Sequence, residues 1–315
     1  MNARLTRNNL VLLAIVAALL IAPLGMRSYS LNVLSTWAVM SVAAIGLNVT
    51  LGFAGQVSMA QGAFVGIGAY TVGILTAMEW PFLPCLAVAI LLCLALGWIV
   101  GYPALRVRSH YLVFVTLAFT TLAYLVFRNE EWLTGGTNGI PDIPRPEMFG
   151  ISFESDLAYC YFCLLNLAWV SAAVMWLVNS PWGLAFLALR ENPVKAQALG
   201  VDTRRYTLVA FALGSALGGI AGTLYAPLVA YIDDNAFTLN LSLNLMLMVM
   251  VGGSGRLIGP YLGALVVVVL PELLRIAGDY YLMGYGALIV LLMIFCPSGL
   301  AGLPETLRAR RGATP

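Results

Sequence analysis

The sequence predicts an all-α integral membrane protein, a polytopic bundle of about ten transmembrane helices, some glycine-broken, with a possible internal repeat. Three observations predict it. First, 61% of the 315 residues are hydrophobic and only 10% charged, and a soluble domain of that composition would expose more apolar surface than water tolerates. Second, apolar runs of about 17 to 25 residues recur along the chain, the length a helix needs to cross roughly 30 Å of hydrocarbon while satisfying its own backbone. Third, the short alternating segments of a transmembrane β-barrel are missing.

Taken in order, the spans are expected near 10–26, 31–51, 56–78, 82–101, 111–127, 157–178, 206–231, 238–251, 259–278 and 283–296. The leader MNARLTRNNL and the apolar stretch behind it have the outline of a secretory signal. No small-x-small cleavage site is clear, and Pro23 and Arg27 follow directly, so a retained first span is expected. An even count returns both termini to one side. The whole chain, 1–315, then forms one transmembrane domain with an outer loop near 128–156, a water-facing loop near 179–205 and a tail near 297–315.

Basic residues set the orientation. Of the 16 Lys and Arg, Arg27, Arg128, Arg145 and Arg275 fall near one side and the other twelve, from Arg4 to Arg311, on the opposite one. The richer side is cytoplasmic by the positive-inside rule. Most carboxylates then lie outside, so the net charge of +2 reflects sidedness and suggests no nucleic-acid partner.

Two glycine-interrupted regions stand out. In LNVTLGFAGQVSMAQGAFVGIGAY, Gly52 and Gly55 break the apolar run before a helix carrying Gly62, Gly66 and Gly68. Asn48, Gln56, Ser58 and Gln61 place uncharged donors and acceptors beside the freed backbone. Such breaks are tolerated where they line a cavity, and their ends can bind a solute's polar groups. The other reading is tight packing, with the polar residues satisfied by neighbouring backbone. In VGGSGRLIGPYLGALVVVVLPELLR, Gly255, Gly259 and Gly263 recur every four residues, an echo of the first region that suggests a duplicated half. Gly214, Gly218 and Gly222 form a third ladder, read as a helix interface because small residues let backbones approach closely.

Between two apolar stretches lies LRENPVKAQALGVDTRR, a charged, soluble-looking helix with Glu191, Lys195, Ala196 and Gly200 at near-helical spacing. A short helix held at the membrane surface is suited to receive force from a cytoplasmic motor; the plain alternative is an ordinary solvated helix. The outer loop, with WLTGGTNGIPDIPRP, predicts turns rather than a domain. It could receive a soluble donor protein, or Trp132 and the prolines could simply cap helices at the lipid interface.

Other chemistry is narrowed by what the sequence lacks. His110, the sole histidine, sits at an expected inner boundary. No chain of buried carboxylates runs through the spans, as a proton-driven carrier usually needs; Glu272 and Arg275 have the spacing of a helical ion pair. No GxxxxGK[ST] loop is present, so any ATP hydrolysis belongs to another chain. Cys160 and Cys163 have CxxC spacing, but all five cysteines lie in apolar segments, and neither a disulfide nor a metal site is expected.

The runs LNVTLGFAGQVSMAQGAFVGIGAYT, WLTGGTNGI, SPWGLAFLALRENPVKAQALGVDTRRYTLVAFALGSALGGIAGTLYA, VGGSGRLIGPYLGA and CPSGLAGL resemble the LivM-type permeases of bacterial branched-chain amino-acid ABC importers, over nearly the whole chain. The resemblance implies an inner-membrane heterodimer with a LivH-type permease, two cytoplasmic ATPase subunits that bind the ATP and Mg, and a periplasmic binding protein that delivers the solute. It also implies that 190–200 is a coupling helix related to the "EAA" loop. Arg190, Glu191, Asn192, Pro193, Lys195, Ala196, Leu199 and Gly200 would seat in a cleft of the ATPase, although Lys195 and Gln197 flanking Ala196 depart from the full EAA consensus. Permeases of this kind also serve urea, short amides or aromatic acids. An ATP-independent carrier and a purely structural membrane subunit remain as rival readings of the residues themselves.

Overall fold

The computed structural model describes residues 21–104, 110–148, 150–274, 281–296 and 298–303. Most of the expected first span, Arg275 and most of the C-terminal tail lie outside them. Among the described residues five helices are long and apolar enough to cross a membrane, and four shorter apolar helices accompany them.

The long ones are α1 (Ser28–Phe53), α3 (Phe82–Ala104), α4 (His110–Asn129), α5 (Asp156–Val178) and α8 (Thr203–Val229). The shorter ones are α2 (Gln61–Ala77), α9 (Leu239–Gly252), α10 (Gly259–Leu274) and α11 (Tyr281–Phe295). Two small helices, α6 (Pro181–Glu191) and α7 (Pro193–Ala198), form an elbow between α5 and α8. In the loop after α4, a two-residue hairpin pairs β1 (Glu147–Met148) with β2 (Ile151–Ser152), Glu147 opposite Ser152. The bundle thus has a hairpin end and an elbow end.

Its core is the pair α1 and α8. Each is 83% buried along its most apolar stretch, against 22% for α3 and 28% for α4 and α5. Outward faces such as Leu91 and Ile99 on α3, or Leu165 and Trp176 on α5, are exposed and apolar, which costs nothing against lipid tails. With no hydrophobic drive between helices in that solvent, close van der Waals packing holds the centre. The packing runs through glycine. A Cβ at Gly214 would sit 2.7 Å from the Gly46 carbonyl oxygen of α1, and one at Gly222 would sit 1.9 Å from the Val65 carbonyl of α2. Gly218 faces Phe64 of α2, and α9 meets α10 through Gly252, Gly259 and Gly263. Gly255 is not a rung of that last ladder: it precedes α10, in the left-handed region at φ +75°.

The third expected span, 56–78, is helical only from Gln61. Residues 54–60 run unwound beside the elbow end of α1, so α2 starts half-way along its neighbours. Gln61 locates that depth: its Nε2 donates to Ala43 in α1 and Gly214 in α8, 3.1 Å each. At the hairpin end 230–238 is likewise non-α, with a short 3-10 turn at Asp234–Phe237, before α9 begins. The two starts meet, the Gly62 amide donating to Ser242 Oγ at 2.9 Å. From that meeting point α2 runs toward the hairpin end and α9 toward the elbow end. Their 17 and 14 residues correspond to about 26 and 21 Å at 1.5 Å per residue, each too short to cross alone.

Candidate coupling and translocation site

The elbow is built from ordinary helix chemistry. Ser180 caps α6, its Oγ accepting from the Trp182 amide at 3.2 Å, with Pro181 next. Asn192 ends α6 and starts α7, its Oδ1 accepting from the Lys195 amide at 3.0 Å, with Pro193 at the first helical position. Gly200 closes α7 at φ +87°, while the Val201 amide bonds back to Ala196 O at 3.1 Å. That is a glycine C-cap, required by the left-handed backbone.

The elbow presents a different surface from the one its sequence spacing suggests. Ala196 is 2% exposed and faces its own chain, whereas Val194 and Leu199 are 77% and 83% exposed, with Glu191, Pro193 and Lys195 also at the surface. The side chains that protrude are therefore Val194, Lys195 and Leu199. Arg190 reaches the other way. A Cβ on Gly255 would lie 1.8 Å from Arg190 Nη1 and 2.7 Å from Gly52 O, and one on Gly55 would lie 3.1 Å from Arg190 Cα. The two glycine breaks, about 200 residues apart in sequence, meet beside Arg190, which itself keeps an exposed face.

Asn48 ties the joint. Its Nδ2 donates to Arg256 O at 3.0 Å, and its Oδ1 accepts from the Gly255 amide at 2.9 Å. A Cβ at Gly52 would come within 2.0 Å of that Oδ1 and 2.4 Å of the Gly255 nitrogen, so glycine is required for contact. Asn48 is 1% exposed. One donor and one acceptor of its amide join the two chain breaks, and its burial keeps it out of a solute's reach.

The other residues expected to line the pore divide. Ser58 is buried, its Oγ accepting from the Ala60 amide at 3.2 Å, and Gln61 is buried in the bonds described above. Gly62 packs on Ser242, and Gly66 on Phe127 and Phe237. Gly52 is buried too; only Gly55 and Gln56 keep appreciable exposure. Packing with satisfied polar groups therefore describes most of this set.

Two residues that sequence spacing left unnoticed hold the unwound segment. Thr116 Oγ1 of α4 accepts from the Met59 amide at 3.1 Å, and one turn later Thr120 Oγ1 donates to Met59 O at 2.8 Å. Both threonines are essentially inaccessible. A pair of hydroxyls at i and i+4 in an apolar helix was the available signal. Buried backbone groups must find partners, and here another helix supplies them.

At the hairpin end the backbone pairs with the outer loop. Ile140 N donates to Ile232 O at 2.9 Å and Ile232 N to Ile140 O at 3.1 Å. Asp233 Oδ1 accepts from the Ala236 amide at 3.2 Å. Arg145 pairs with Asp156 at 2.6 Å across the base of the loop. Trp132 is 81% exposed, its Nε1 donating to Glu130 Oε2 at 2.7 Å. Glu272 takes a hydrogen bond from Tyr29; the pairing expected with Arg275 lies outside the described residues. Cys85, Cys93, Cys160 and Cys163 are buried free thiols.

Among the described residues the arrangement is a set of broken helices joined at an elbow. The model of the family described as branched-chain amino acid transport system, permease component, matches residues 29–296. The chain is 32% identical to the high-affinity branched-chain amino acid transport system permease protein LivM of Escherichia coli K12, over 98% of this chain and 78% of that protein. Similarity to the Salmonella typhimurium LivM permease is also 32%, over 95% and 76%. The probable LivM permease of Methanocaldococcus jannaschii is 31% identical, over 70% and 68%. No solved structure matches. The joined breaks thus sit inside a homologous region covering almost all of the described fold, and the chain belongs to the permease-component family of branched-chain amino acid transport systems.

Proposed function

We propose that this chain is one of two permease subunits of an ATP-driven ABC importer, forming half of the translocation pathway for branched-chain or other small amino acids across the bacterial inner membrane. Its partners in this reading are a LivH-type permease, two cytoplasmic ATPases carrying ATP and Mg, and a periplasmic binding protein. The chain itself moves solute and performs no covalent chemistry. Family membership supports the transport role, and the relatives named above supply the solute class.

The 10–26 stretch, five long helices and four shorter apolar ones make up ten membrane segments, with both termini and the elbow in the cytoplasm by the positive-inside rule. The observation that carries coupling is the two-sidedness of the elbow. Val194, Lys195 and Leu199 face water, and Arg190 on the preceding turn packs against both glycine breaks. ATP-driven closure of the motors moves α7 as a rigid body, and Arg190 conveys the movement to the ends of α1 and α9. The side of the cavity that is open then switches.

The test is ATP-dependent uptake of labelled leucine in proteoliposomes containing the full importer. Gly200→Arg forces a non-glycine residue into a left-handed cap, a strain of about 1 to 3 kcal/mol, beside the proposed ATPase contact. Uptake is expected to vanish while solute capture by the separate binding protein persists. Gly200→Asn, which tolerates that backbone, should retain most uptake. Normal transport by Gly200→Arg, or a Lys195→Cys crosslinker that reaches no ATPase, would remove the coupling assignment.

A further inference from the structure

The exposed face of α9 presents polar groups where lipid would penalise them. Asn240 and Asn244, one turn apart, are both exposed, and Leu243 and Met250 share their side of the helix. The opposite side carries Ser242, Leu245, Met248 and Gly252, buried against α2 and α10. The start of α9 is fixed at mid-depth, because Ser242 receives the Gly62 amide next to Gln61, whose own bonds reach the middles of α1 and α8. Both asparagines therefore stand near the centre of the bilayer. An amide moved from water into a hydrocarbon-like medium costs about 4 to 8 kcal/mol, and two on one short helix rule out a lipid-facing surface. Elsewhere a span amide finds a protein partner: Asn166 of α5 donates to Phe162 O at 2.8 Å, and Asn48 and Gln61 bond to neighbouring segments.

We infer that this face of α9, flanked by α4 and α11, lines the water-filled path, and that Asn240 and Asn244 are its solute-contacting residues. The inference rests on the importer reading above and places the solute contacts on a helix outside the glycine-rich region. A neutral amide pair offers donors and acceptors but no fixed charge. It suits a small zwitterion, whose carboxylate takes the N–H groups and whose ammonium takes the carbonyls, while Leu243 and Met250 contact an aliphatic side chain. Such contacts are weak enough to release the solute.

The experiment uses the full importer in vesicles. Asn240→Cys and Asn244→Cys, with the native cysteines replaced by alanine, are exposed to a charged, water-soluble methanethiosulfonate. Labelling is expected to exceed that of Leu91→Cys, on the apolar face of α3, by roughly tenfold and to change with nucleotide state. The double variant Asn240→Leu/Asn244→Leu should lower leucine uptake roughly tenfold, with complex yield and basal ATPase retained, and Asn244→Gln should restore part of it. Labelling no faster than Leu91→Cys, as for a face covered by the partner permease, overturns the inference, as does unchanged uptake by the double leucine variant. Uptake by the unsubstituted protein that needs no ATP would instead sink the importer reading, an outcome separable from the labelling result.

Discussion

Residues 54–60 and 230–238 each replace half of a membrane helix, one at the elbow end and the other at the hairpin end, yet different chemistry holds them. The elbow-end stretch is secured by side chains of distant helices: Thr116 and Thr120 on Met59, and Asn48 bridging its own end of α1 to Gly255 and Arg256. The hairpin-end stretch is secured by backbone pairing between Ile140 and Ile232 and by the local Asp233 cap. Side-chain clasps let a segment shift against its neighbours by exchanging a few hydrogen bonds. A strand-like pairing anchors a segment to one loop. On the importer reading proposed above, motion belongs to the elbow end, beside Arg190, and anchorage to the hairpin end.

Substitutions can break that contrast, and the largest effect is expected at the glycine joint. Gly255→Ala places a Cβ against Arg190 Nη1 and Gly52 O at a positive φ, a combined strain and overpacking cost of about 3 kcal/mol or more. Uptake should fall to background, with a lower thermal midpoint for the purified complex. Gly284→Ala, with open space around it, is the control and should leave both unchanged.

Next in size is the threonine clasp. Thr116→Val/Thr120→Val keeps side-chain shape but strands the Met59 amide and carbonyl, about 1 to 3 kcal/mol for each orphaned group. A clearly lowered melting midpoint in detergent, recovered by the serine pair, is expected. If the valine pair melted like the parent, water would have to be satisfying Met59, and the unwound segment would be wet rather than clasped.

The smallest change should come at the hairpin end. Asp233→Ala removes one cap, worth about 1 kcal/mol, and should lower stability slightly while leaving the ATP dependence of uptake intact. A loss of coupling in this variant exceeding that of the threonine pair would reverse the assignment of moving and fixed ends.

Much of the fold was legible because lipid imposes a simple rule on sequence. Apolar length marks helices, and the expected segments at 82–101, 111–127, 157–178 and 206–231 coincide with α3, α4, α5 and α8. The start of α2 was misjudged by five residues because 54–60 carries no charge, so the two polar residues Gln56 and Ser58 do not interrupt the run by hydropathy although the backbone there is unwound. The charged elbow was found from its polarity; that Ala196 turns inward and Leu199 outward was not, since six helical residues carry too little periodicity to fix a face. Within the glycine-rich region, Gln61 and Asn48 stood out in the sequence as polar groups beside freed backbone, and the structure has both of them bonded to backbone of other segments. Asn240 and Asn244 passed unremarked for want of a neighbouring glycine.

By itself, then, the sequence determined the class of molecule, the placement of most helices, the short charged segment between two long helices and the family, all of which depend on local composition or contiguous motifs. Only the tertiary structure decided which glycines meet, that Arg190 lies beside breaks about 200 residues apart, and which polar side chains are consumed by the fold. Those outcomes depend on pairings across the chain, where a donor's role is set by the acceptor that packing brings within about 3 Å, a distance no linear pattern encodes.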